Sequence, residues 1–400
     1  MNIQNKIEWT KNHMPVMAKI QKELATNKPF AGLKIGACLH LTKETAILLM
    51  AIKDGGAEVI ACASNPLSTQ DDVVEYLKSY GIFVYGKRGE TVPEYIEGLR
   101  SVLACSPDYI IDDGADLTEA IHKDTHLEKL PCGGLEETTT GVQRIKNMEL
   151  LYPILAVNDA QTKHFFDNVY GTGQSTIDAI MRATNILLAG KTFVVAGYGY
   201  CGKGLAQRAR GMGCNVIVTE VDPVKALQAH MDGFKVMEMK MASFQADIIV
   251  TVTGSINVLD KEVLNLKNRA IIANSGHFDV EINKKTLETN AKSIKEISKD
   301  IVEYTLIDDP SDPDYPCKVY LLSEGRLVNL SAAEGHPSEV MDMSFANQAL
   351  GLKYLIQNNL EKGVHNIPES IDKQVATWKL ETLNVYFDKE TPEQLSYKNQ

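Results

Sequence analysis

The stretch that decides the fold is Val194-Val195-Ala196-Gly197-Tyr198-Gly199-Tyr200-Cys201-Gly202-Lys203-Gly204. An apolar run ends at Gly197, Gly199 gives a pyrophosphate room to approach the backbone, and Gly202 lets the following helix pack closely. Phosphates bound there would meet the positive end of that helix. The next strand-like run ends at Glu220, whose carboxylate can bond the adenosine ribose of NAD and repel the 2′-phosphate of NADP. The sequence therefore predicts a Rossmann turn that binds NAD in mid-chain.

The composition is that of an ordinary globular enzyme and argues against several kinds of partner. The 400 residues are enough for about two to three domains. The formal net charge of -11, without a cluster of Lys and Arg interleaved with aromatics, argues against nucleic acid. Because the N-terminus has no apolar signal core and no apolar stretch is long enough for a bilayer, we expect a cytoplasmic protein without membrane contact. Seven cysteines without a CxxC pair favour reduced thiols and no bound metal.

Apolar runs alternate with helical patterns on both sides of the glycine turn. Before it, we predict one helix and four strands, at residues 6–26 and at 34–39, 58–62, 83–85 and 109–113. After it, further strands are predicted at 248–251 and 270–274, and an acidic, Pro-rich loop at 308–316. This alternation predicts an α/β fold with two doubly wound parallel-sheet domains, the second a Rossmann NAD-binding domain, plus a short C-terminal extension.

Polar side chains of the first domain gather where its strands end, and open α/β sheets bind ligands at that edge. They are His40, Asn65, the run Ser68-Thr69-Gln70-Asp71, and Asp112-Asp113. Further along the chain come Glu136-Glu137-Thr138-Thr139-Thr140, Asn158-Asp159, Lys163 and Asp167-Asn168. An amine among so many acids can shift its pKa, and we expect Lys163 to be a base near neutral pH. The sequence therefore predicts an acid–base site in the first domain.

Several motifs together resemble one enzyme family. They are the glycine turn, Glu137-Thr138-Thr139-Thr140, Asn158-Asp159 with Lys163 and Phe166-Asp167-Asn168, Gly276-His277-Phe278-Asp279, residues 324–330, and Gly335-His336-Pro337-Ser338. In this order the chain, from about residue 13 to beyond residue 347, resembles the S-adenosylhomocysteine hydrolases, in an archaeal-like form without the Lys- and Tyr-bearing C-terminal tail. The resemblance implies reversible hydrolysis of S-adenosyl-L-homocysteine to adenosine and L-homocysteine. In that reaction NAD oxidises the ribose 3′-hydroxyl, homocysteine is eliminated, water adds, and the hydride returns.

The resemblance also implies roles for individual residues. Lys163 resembles the base at the 3′-hydroxyl, with Glu137 and Asp167 on the sugar. His40 and Asp113 resemble the pair that transfers protons at C4′ and C5′. We predict that His277 is catalytic together with them. Thr42, Glu44, Asn65 and His336 complete the predicted substrate site. The predicted NAD contacts are Thr138, Thr139, Thr140, Asn168, Gly197, Gly199, Tyr200, Cys201, Gly202, Lys203, Gly204, Glu220, Lys225, Ser275, Gly276 and Asn329.

Glu44 bears on the choice of purine. Its carboxylate can accept a bond from the 6-amino group of adenine, whereas hypoxanthine presents an acceptor oxygen there. Adenine is therefore favoured. S-inosyl-L-homocysteine stays open as a substrate, because residues 170–175 are shared with a methanogen-type branch that acts on it. Two further functions stay open as well: a dehydrogenase that releases NADH, and a non-catalytic regulatory paralogue that binds NAD.

The resemblance further predicts how the chain is divided and assembled. Residues 1–170 and 333–377 would bind the substrate, 171–332 would bind NAD, and 378–400 would help to form a homotetramer. Lys225 replaces an Asn found in many members near the cofactor, and Glu334 replaces an apolar residue before Gly335. We expect both changes to alter affinity for a ligand.

Overall fold

The computed structural model describes residues 2–124, 127, 129–306 and 317–398. The loop predicted at 308–316 lies outside the described residues, as do the last two residues of the predicted C-terminal segment. Among the described residues, no helix combines the length and the apolar character that crossing a membrane requires.

The strands follow one another along the chain as follows. They are β1 (Lys34–Leu39), β2 (Glu58–Ala63), β3 (Phe83–Tyr85), β4 (Tyr109–Asp112), β5 (Gly133–Glu136), β6 (Pro153–Ala156), β7 (Thr192–Ala196), β8 (Asn215–Thr219), β9 (Lys235–Val236), β10 (Ile248–Thr251), β11 (Ala270–Asn274), β12 (Ala291–Ser298), β13 (Ile301–Leu306), β14 (Lys318–Leu322) and β15 (Gly363–Asn366). The strands predicted on both sides of the glycine turn are confirmed to within a residue at their ends.

Helices lie between most of these strands. They are α1 (Ile3–Asn12), α2 (Pro15–Asn27), α3 (Lys43–Asp54), α4 (Asp71–Ser79), α5 (Val92–Ala104), α6 (Asp116–Lys123), α7 (Thr139–Lys146), α8 (Gln161–Lys163), α9 (Thr172–Thr184), α10 (Tyr200–Gly211), α11 (Pro223–Met231), α12 (Met239–Ser243), α13 (Lys284–Asn290), α14 (Val328–Ser331), α15 (Ser338–Gln357), α16 (Glu369–Thr382) and α17 (Pro392–Lys398). A π-helical stretch, His164–Gly171, joins α8 to α9.

The first helix is where the prediction is wrong. One helix was predicted at residues 6–26, but α1 ends at Asn12 and α2 begins at Pro15. Proline lacks the N–H that a helix interior needs, and its fixed φ suits the first turn. Pro15 therefore starts a second helix instead of continuing the first.

The strands form two sheets, as predicted. The first is parallel, in the order β15-β6-β5-β4-β1-β2-β3. The second has the order β12-β13-β14-β11-β10-β7-β8-β9, with a parallel body and antiparallel pairing of β12 with β13 and of β13 with β14. Strand β1 is buried along almost its whole length, as expected for a parallel strand covered by helices on both faces.

The chain passes between the two sheets twice. It leaves the first through the continuous helical run of α8, the π-helical stretch and α9, and it returns through α14 and α15. Strand β15 then adds to the edge of the first sheet beside β6. Both crossings between the sheets are therefore made by helical segments.

Candidate active site

One large cavity lies where the carboxyl ends of the two sheets face each other. Its volume is about 1180 Å³. Its wall includes residues that follow β1, β4 and β5 of the first sheet and β7, β8, β10 and β11 of the second. Parallel strands bring loops from distant parts of the chain to one edge, which is where α/β sheets bind ligands. The catalytic residues and the NAD turn predicted from the sequence therefore meet in one place.

Nearly all predicted site residues line this cavity. They are His40, Thr42, Glu44, Asp113, Glu137, Thr138, Thr139, Thr140, Lys163, Asp167, Asn168, Gly197, Gly199, Tyr200, Cys201, Lys203, Glu220, Lys225, Ser275, Gly276, His277, Asn329 and His336. Asn65, Gly202 and Gly204 do not line it. Asn65 instead accepts the N–H of Leu67 at 2.9 Å, and its carbonyl accepts the hydroxyl of Ser68. The structure therefore places Asn65 in the turn behind the cavity wall.

The glycine turn packs as the sequence predicts. Gly197 has φ +107°, a conformation that favours glycine. A Cβ on Gly202 would lie 2.0 Å from the carbonyl oxygen of Gly197, and one on Gly204 would lie 1.8 Å from that of Val169. Gly202 thus lets α10 approach the turn, and Gly204 lets it approach the π-helical stretch. Both glycines therefore act in packing, and they hold the glycine turn close to α10 and the π-helical stretch.

Two observations test whether this part of the cavity fits NAD. Glu220 directly follows β8, and its carboxylate accepts the N–H of Tyr198 at 2.7 Å and that of Val221 at 2.7 Å. An acid is thereby fixed beside the glycine turn, where an adenosine ribose binds in Rossmann folds. Asn329 is buried on the cavity wall, and its Oδ1 has no hydrogen-bond partner among the described residues. A buried acceptor needs a donor, so the residues present fit the cofactor.

Lys163 is the buried cation of the site. Its Nζ donates to Asn168 Oδ1 at 2.9 Å and lies 3.0 Å from Asp167 Oδ2 and 3.9 Å from Glu137 Oε1. Burial alone would lower the pKa of Lys163, but the charges of Asp167 and Glu137 outweigh it and raise that pKa above its ordinary value. The expectation that Lys163 is by itself a base near neutral pH is therefore wrong for this state, because two carboxylates stabilise the ammonium.

The two carboxylates beside Lys163 are held differently. Asp167 accepts a short hydrogen bond from His336 Nδ1. Burial works to raise the pKa of Asp167, but His336 and Lys163 hold it well below its usual range. Burial raises the pKa of Glu137 to about 7, although Lys163 opposes that shift. Glu137 is therefore the group of this cluster that gains or loses a proton near neutral pH.

Two residues that the sequence analysis missed support Glu137. Ser344 donates a short bond to Glu137 Oε1, and Gln348 Nε2 donates to Oε2 at 2.6 Å. Both are buried on α15, about 200 residues away along the chain. Two polar residues four apart on a largely buried helix lie on one face. This spacing is the feature of the sequence from which Ser344 and Gln348 could have been found.

A second group in the cavity wall consists of His40, Asp113 and His277. His40 Nε2 lies 3.6 Å from Asp113 Oδ2, and the His40 and His277 ring centroids are 5.9 Å apart. His40 Nδ1 lies 2.6 Å from the hydroxyl of Ser68. Burial lowers the pKa of His40 to about 4, although Asp113 opposes that shift. His40 is therefore neutral at pH 7 and can accept a proton.

The same three side chains also form a set of possible metal ligands. One ligand atom from each of His40, Asp113 and His277 lies within 4.8 Å of the others. Imidazole and carboxylate are common ligands of transition metals. The absence of a metal thus stays a prediction from the sequence.

A loop after β10 is a second feature that the sequence analysis missed. Thr253 and Gly254 line the cavity, and the buried carboxylate of Glu281 accepts both their N–H groups, that of Gly254 at 2.7 Å. The loop is thereby fixed beside the glycine turn, where a Cβ on Gly197 would lie 3.0 Å from Thr253 Cγ2. A small polar run directly after a predicted strand, at the edge where ligands bind, was the available signal.

Comparisons with family models and with curated proteins lead to the same enzyme family. The family model described as "S-adenosyl-L-homocysteine hydrolase, NAD binding domain" matches residues 168–335, and the one described as "S-adenosyl-L-homocysteine hydrolase" matches residues 3–134. Adenosylhomocysteinase of Aquifex aeolicus is 54% identical over 98% of this chain and 94% of its own length. Adenosylhomocysteinase of Sulfurisphaera tokodaii is 52% identical over 98% and 95%. S-inosyl-L-homocysteine hydrolase of Methanocaldococcus jannaschii is also 52% identical over 98% and 95%.

Proposed function

This chain belongs to the S-adenosyl-L-homocysteine hydrolase family, and we propose that it reversibly hydrolyses S-adenosyl-L-homocysteine to adenosine and L-homocysteine with bound NAD. The observation that carries the proposal is the cavity between the sheets. There the cluster of Lys163, Glu137 and Asp167 faces the pair His40 and Asp113, beside the glycine turn. One cavity thus offers a base for a sugar hydroxyl, a second acid–base pair and a cofactor site.

NAD is the cofactor, and the chain supplies a place for it. When bound, NAD supplies a hydride acceptor that takes the hydride from the ribose 3′ carbon and gives it back at the end of the turnover. Glu220 and the glycine turn would hold its adenosine half, and the unpartnered Oδ1 of Asn329 would accept a bond at its other half.

The cluster around Lys163 handles the proton of the 3′-hydroxyl. At rest Lys163 carries its proton, because Asp167 and Glu137 stabilise the ammonium. Glu137, with a pKa of about 7, lies 3.9 Å from Lys163 and can hold a proton that Lys163 gives up. We therefore assign the base to the pair of Lys163 and Glu137, because coupled groups share their protons. Asp167 stays ionised and orients the sugar.

The pair of His40 and Asp113 handles the protons at C4′ and C5′. A ketone at C3′ makes the C4′ proton acidic, and a carboxylate such as Asp113 can take and return it. Neutral His40 can accept a proton from the water that attacks C5′, while Ser68 fixes the orientation of its ring. The C–S bond breaks as the electrons of the C4′–H bond form a C4′=C5′ double bond, and homocysteine leaves as its thiolate. When water adds at C5′, Asp113 returns its proton to C4′, and the proton that His40 takes from the water balances the thiolate.

The test is release of a free thiol from S-adenosyl-L-homocysteine by the NAD-loaded protein, followed together with absorbance at 340 nm. The proposal predicts many thiols per enzyme, with reduced cofactor never exceeding the amount of enzyme. Steady accumulation of NADH would instead indicate a dehydrogenase. Retained NAD without any thiol would indicate the regulatory paralogue.

S-inosyl-L-homocysteine is the second candidate substrate. It is favoured by the relative from Methanocaldococcus jannaschii, which is named for that substrate and is as similar to this chain as some of the adenosylhomocysteinases. The first candidate rests on several such relatives and on a carboxylate, Glu44, in the cavity wall. The same thiol assay, run with both substrates, separates the two.

We propose the remaining features on the same basis. Residues 1–170 with 333–377 would bind substrate and 171–332 would bind NAD, a division supported by the two sheets. A homotetramer is supported by exposed apolar side chains near the C-terminus, among them Tyr386 at 93% and Tyr397 at 80% exposure. Sedimentation of the full chain tests the assembly. We also propose a cytoplasmic location, which fractionation of expressing cells tests.

A further inference from the structure

Five residues of the cavity wall, here called the slot, have the chemistry of a site for a flat heteroaromatic ring. Leu330, Met341 and Phe345 contribute apolar wall, and Thr42 and Glu44 contribute the polar edge. Apolar walls with a few fixed polar groups are typical of small-molecule sites. Under the function proposed above, on which this inference rests, the purine of the substrate occupies the slot and Glu44 meets its polar edge.

The carboxylate of Glu44 is buried, with an exposure of 2%, and is bonded on one side only. Ser338 donates to Glu44 Oε1 at 2.7 Å, and Lys43 Nζ lies 3.2 Å from the same oxygen. Within the part of the chain that the structure describes, Oε2 has no bonding partner. Glu44 thus keeps one oxygen as an acceptor for a ligand.

Lys43 is itself held between two carboxylates. Its Nζ also lies 3.6 Å from Glu334 Oε2, and its side chain is only 14% exposed. Glu334 also lies 3.6 Å from Arg182 on α9. A cation placed in this way stabilises the charge on the buried Glu44. Lys43 itself does not line the cavity.

We propose that Lys43, positioned by Glu334, holds the Glu44 carboxylate in place with Oε2 left for the ligand, and thereby sets the preference for a 6-aminopurine over a 6-oxopurine substrate. An ionised carboxylate accepts from a 6-amino group and repels a 6-oxo oxygen. Lys43 and Glu334 are thus positioning residues, and neither needs to touch the substrate.

The experiment compares kcat/KM for S-adenosyl- and S-inosyl-L-homocysteine in NAD-loaded wild type and four variants. For Lys43→Met the ratio of adenosyl to inosyl kcat/KM should fall by about tenfold or more, because a hydrogen bond to a charged group is lost. The change should appear in KM for the adenosyl substrate, with kcat nearly unchanged. Lys43→Arg keeps the charge and should restore most of the ratio. Lys53→Met lies on the last turn of the same helix, where Lys53 Nζ donates to the carbonyl of Gly81 and does not contact Glu44; it is the control and should leave the ratio unchanged.

Glu334→Gln gives a second test that does not depend on the stability of a buried site, since this side chain is 55% exposed. The ratio should fall by about twofold to fivefold, as expected for a partly exposed ion pair. Normal thiol release with an unchanged ratio in both Lys43→Met and Glu334→Gln would overturn the inference alone. Absence of thiol release from either substrate by the wild type would overturn the proposed function and the inference together.

Discussion

Replacing Gly202 by alanine tests how the glycine turn and α10 fit together. The new Cβ would lie 2.0 Å from the carbonyl oxygen of Gly197, and ordinary contact begins at 3.4 Å. The helix start or the turn must therefore move by about 1.4 Å. Both partners are backbone, so no side chain can swing away. Forced overpacking of this kind typically costs about 1–3 kcal/mol.

The assay is thermal unfolding, with NAD content measured after purification. A loss of about 2 kcal/mol corresponds to a fall in Tm of roughly 4–8 °C for a domain of about 150–250 residues. NAD content should fall as well, because the moved turn is the phosphate-binding edge.

Gly211 supplies the control on the same helix. A Cβ there would meet nothing within 4 Å. Gly211→Ala should therefore leave Tm unchanged or raise it slightly, since alanine is the better helix former. If Gly202→Ala matched Gly211→Ala in both Tm and NAD content, the packing of this turn as described here would be refuted.

Three further predictions concern the buried polar groups. Gln348→Leu removes a donor from Glu137, and we expect kcat to fall about tenfold with NAD content unchanged; thiol release and cofactor content measure this. Because the pKa of His40 is lowered to about 4, its contribution to stability is complete above about pH 6.5 and is lost as the pH falls through 4. Urea unfolding measures the free energy of unfolding of wild type and of His40→Asn. The difference between these two free energies should shrink as the pH falls from about 6.5 through 4, and a difference that does not depend on pH would contradict the prediction. Lys379→Met leaves the buried Asp342 without its ion-pair partner and should lower the free energy of unfolding by about 3–5 kcal/mol. A Tm equal to that of wild type would disprove this prediction.

Much of the fold follows from local patterns in the sequence. Strands such as β10 and β11 are short apolar runs between turn residues, and their ends were predicted because a buried parallel strand has to be apolar along its length. The break at Pro15 was missed because helical periodicity continues across it, whereas the proline acts on the backbone alone.

The candidate site was predicted less completely, because several of its contacts join residues that are far apart along the chain. Lys163, Glu137 and Asp167 were all named from the sequence, but the direction of the Lys163 pKa depends on separations of 3.0 and 3.9 Å that a sequence does not contain. Ser344 and Gln348 meet Glu137 only after the chain has crossed the second sheet and returned. Residues next to a motif can be found from the motif, while residues that support it from another element need the fold.

The most direct test of the central claim is exchange of the C4′ hydrogen of adenosine in D₂O, followed by proton NMR with the NAD-loaded protein. Adenosine is a product, so the reverse reaction begins with the same oxidation at C3′. The account predicts that wild type replaces the C4′ hydrogen by deuterium, so that its proton signal disappears, and that Asp113→Asn does so far more slowly. Thiol release from S-adenosyl-L-homocysteine without any exchange at C4′ would contradict the proposed mechanism.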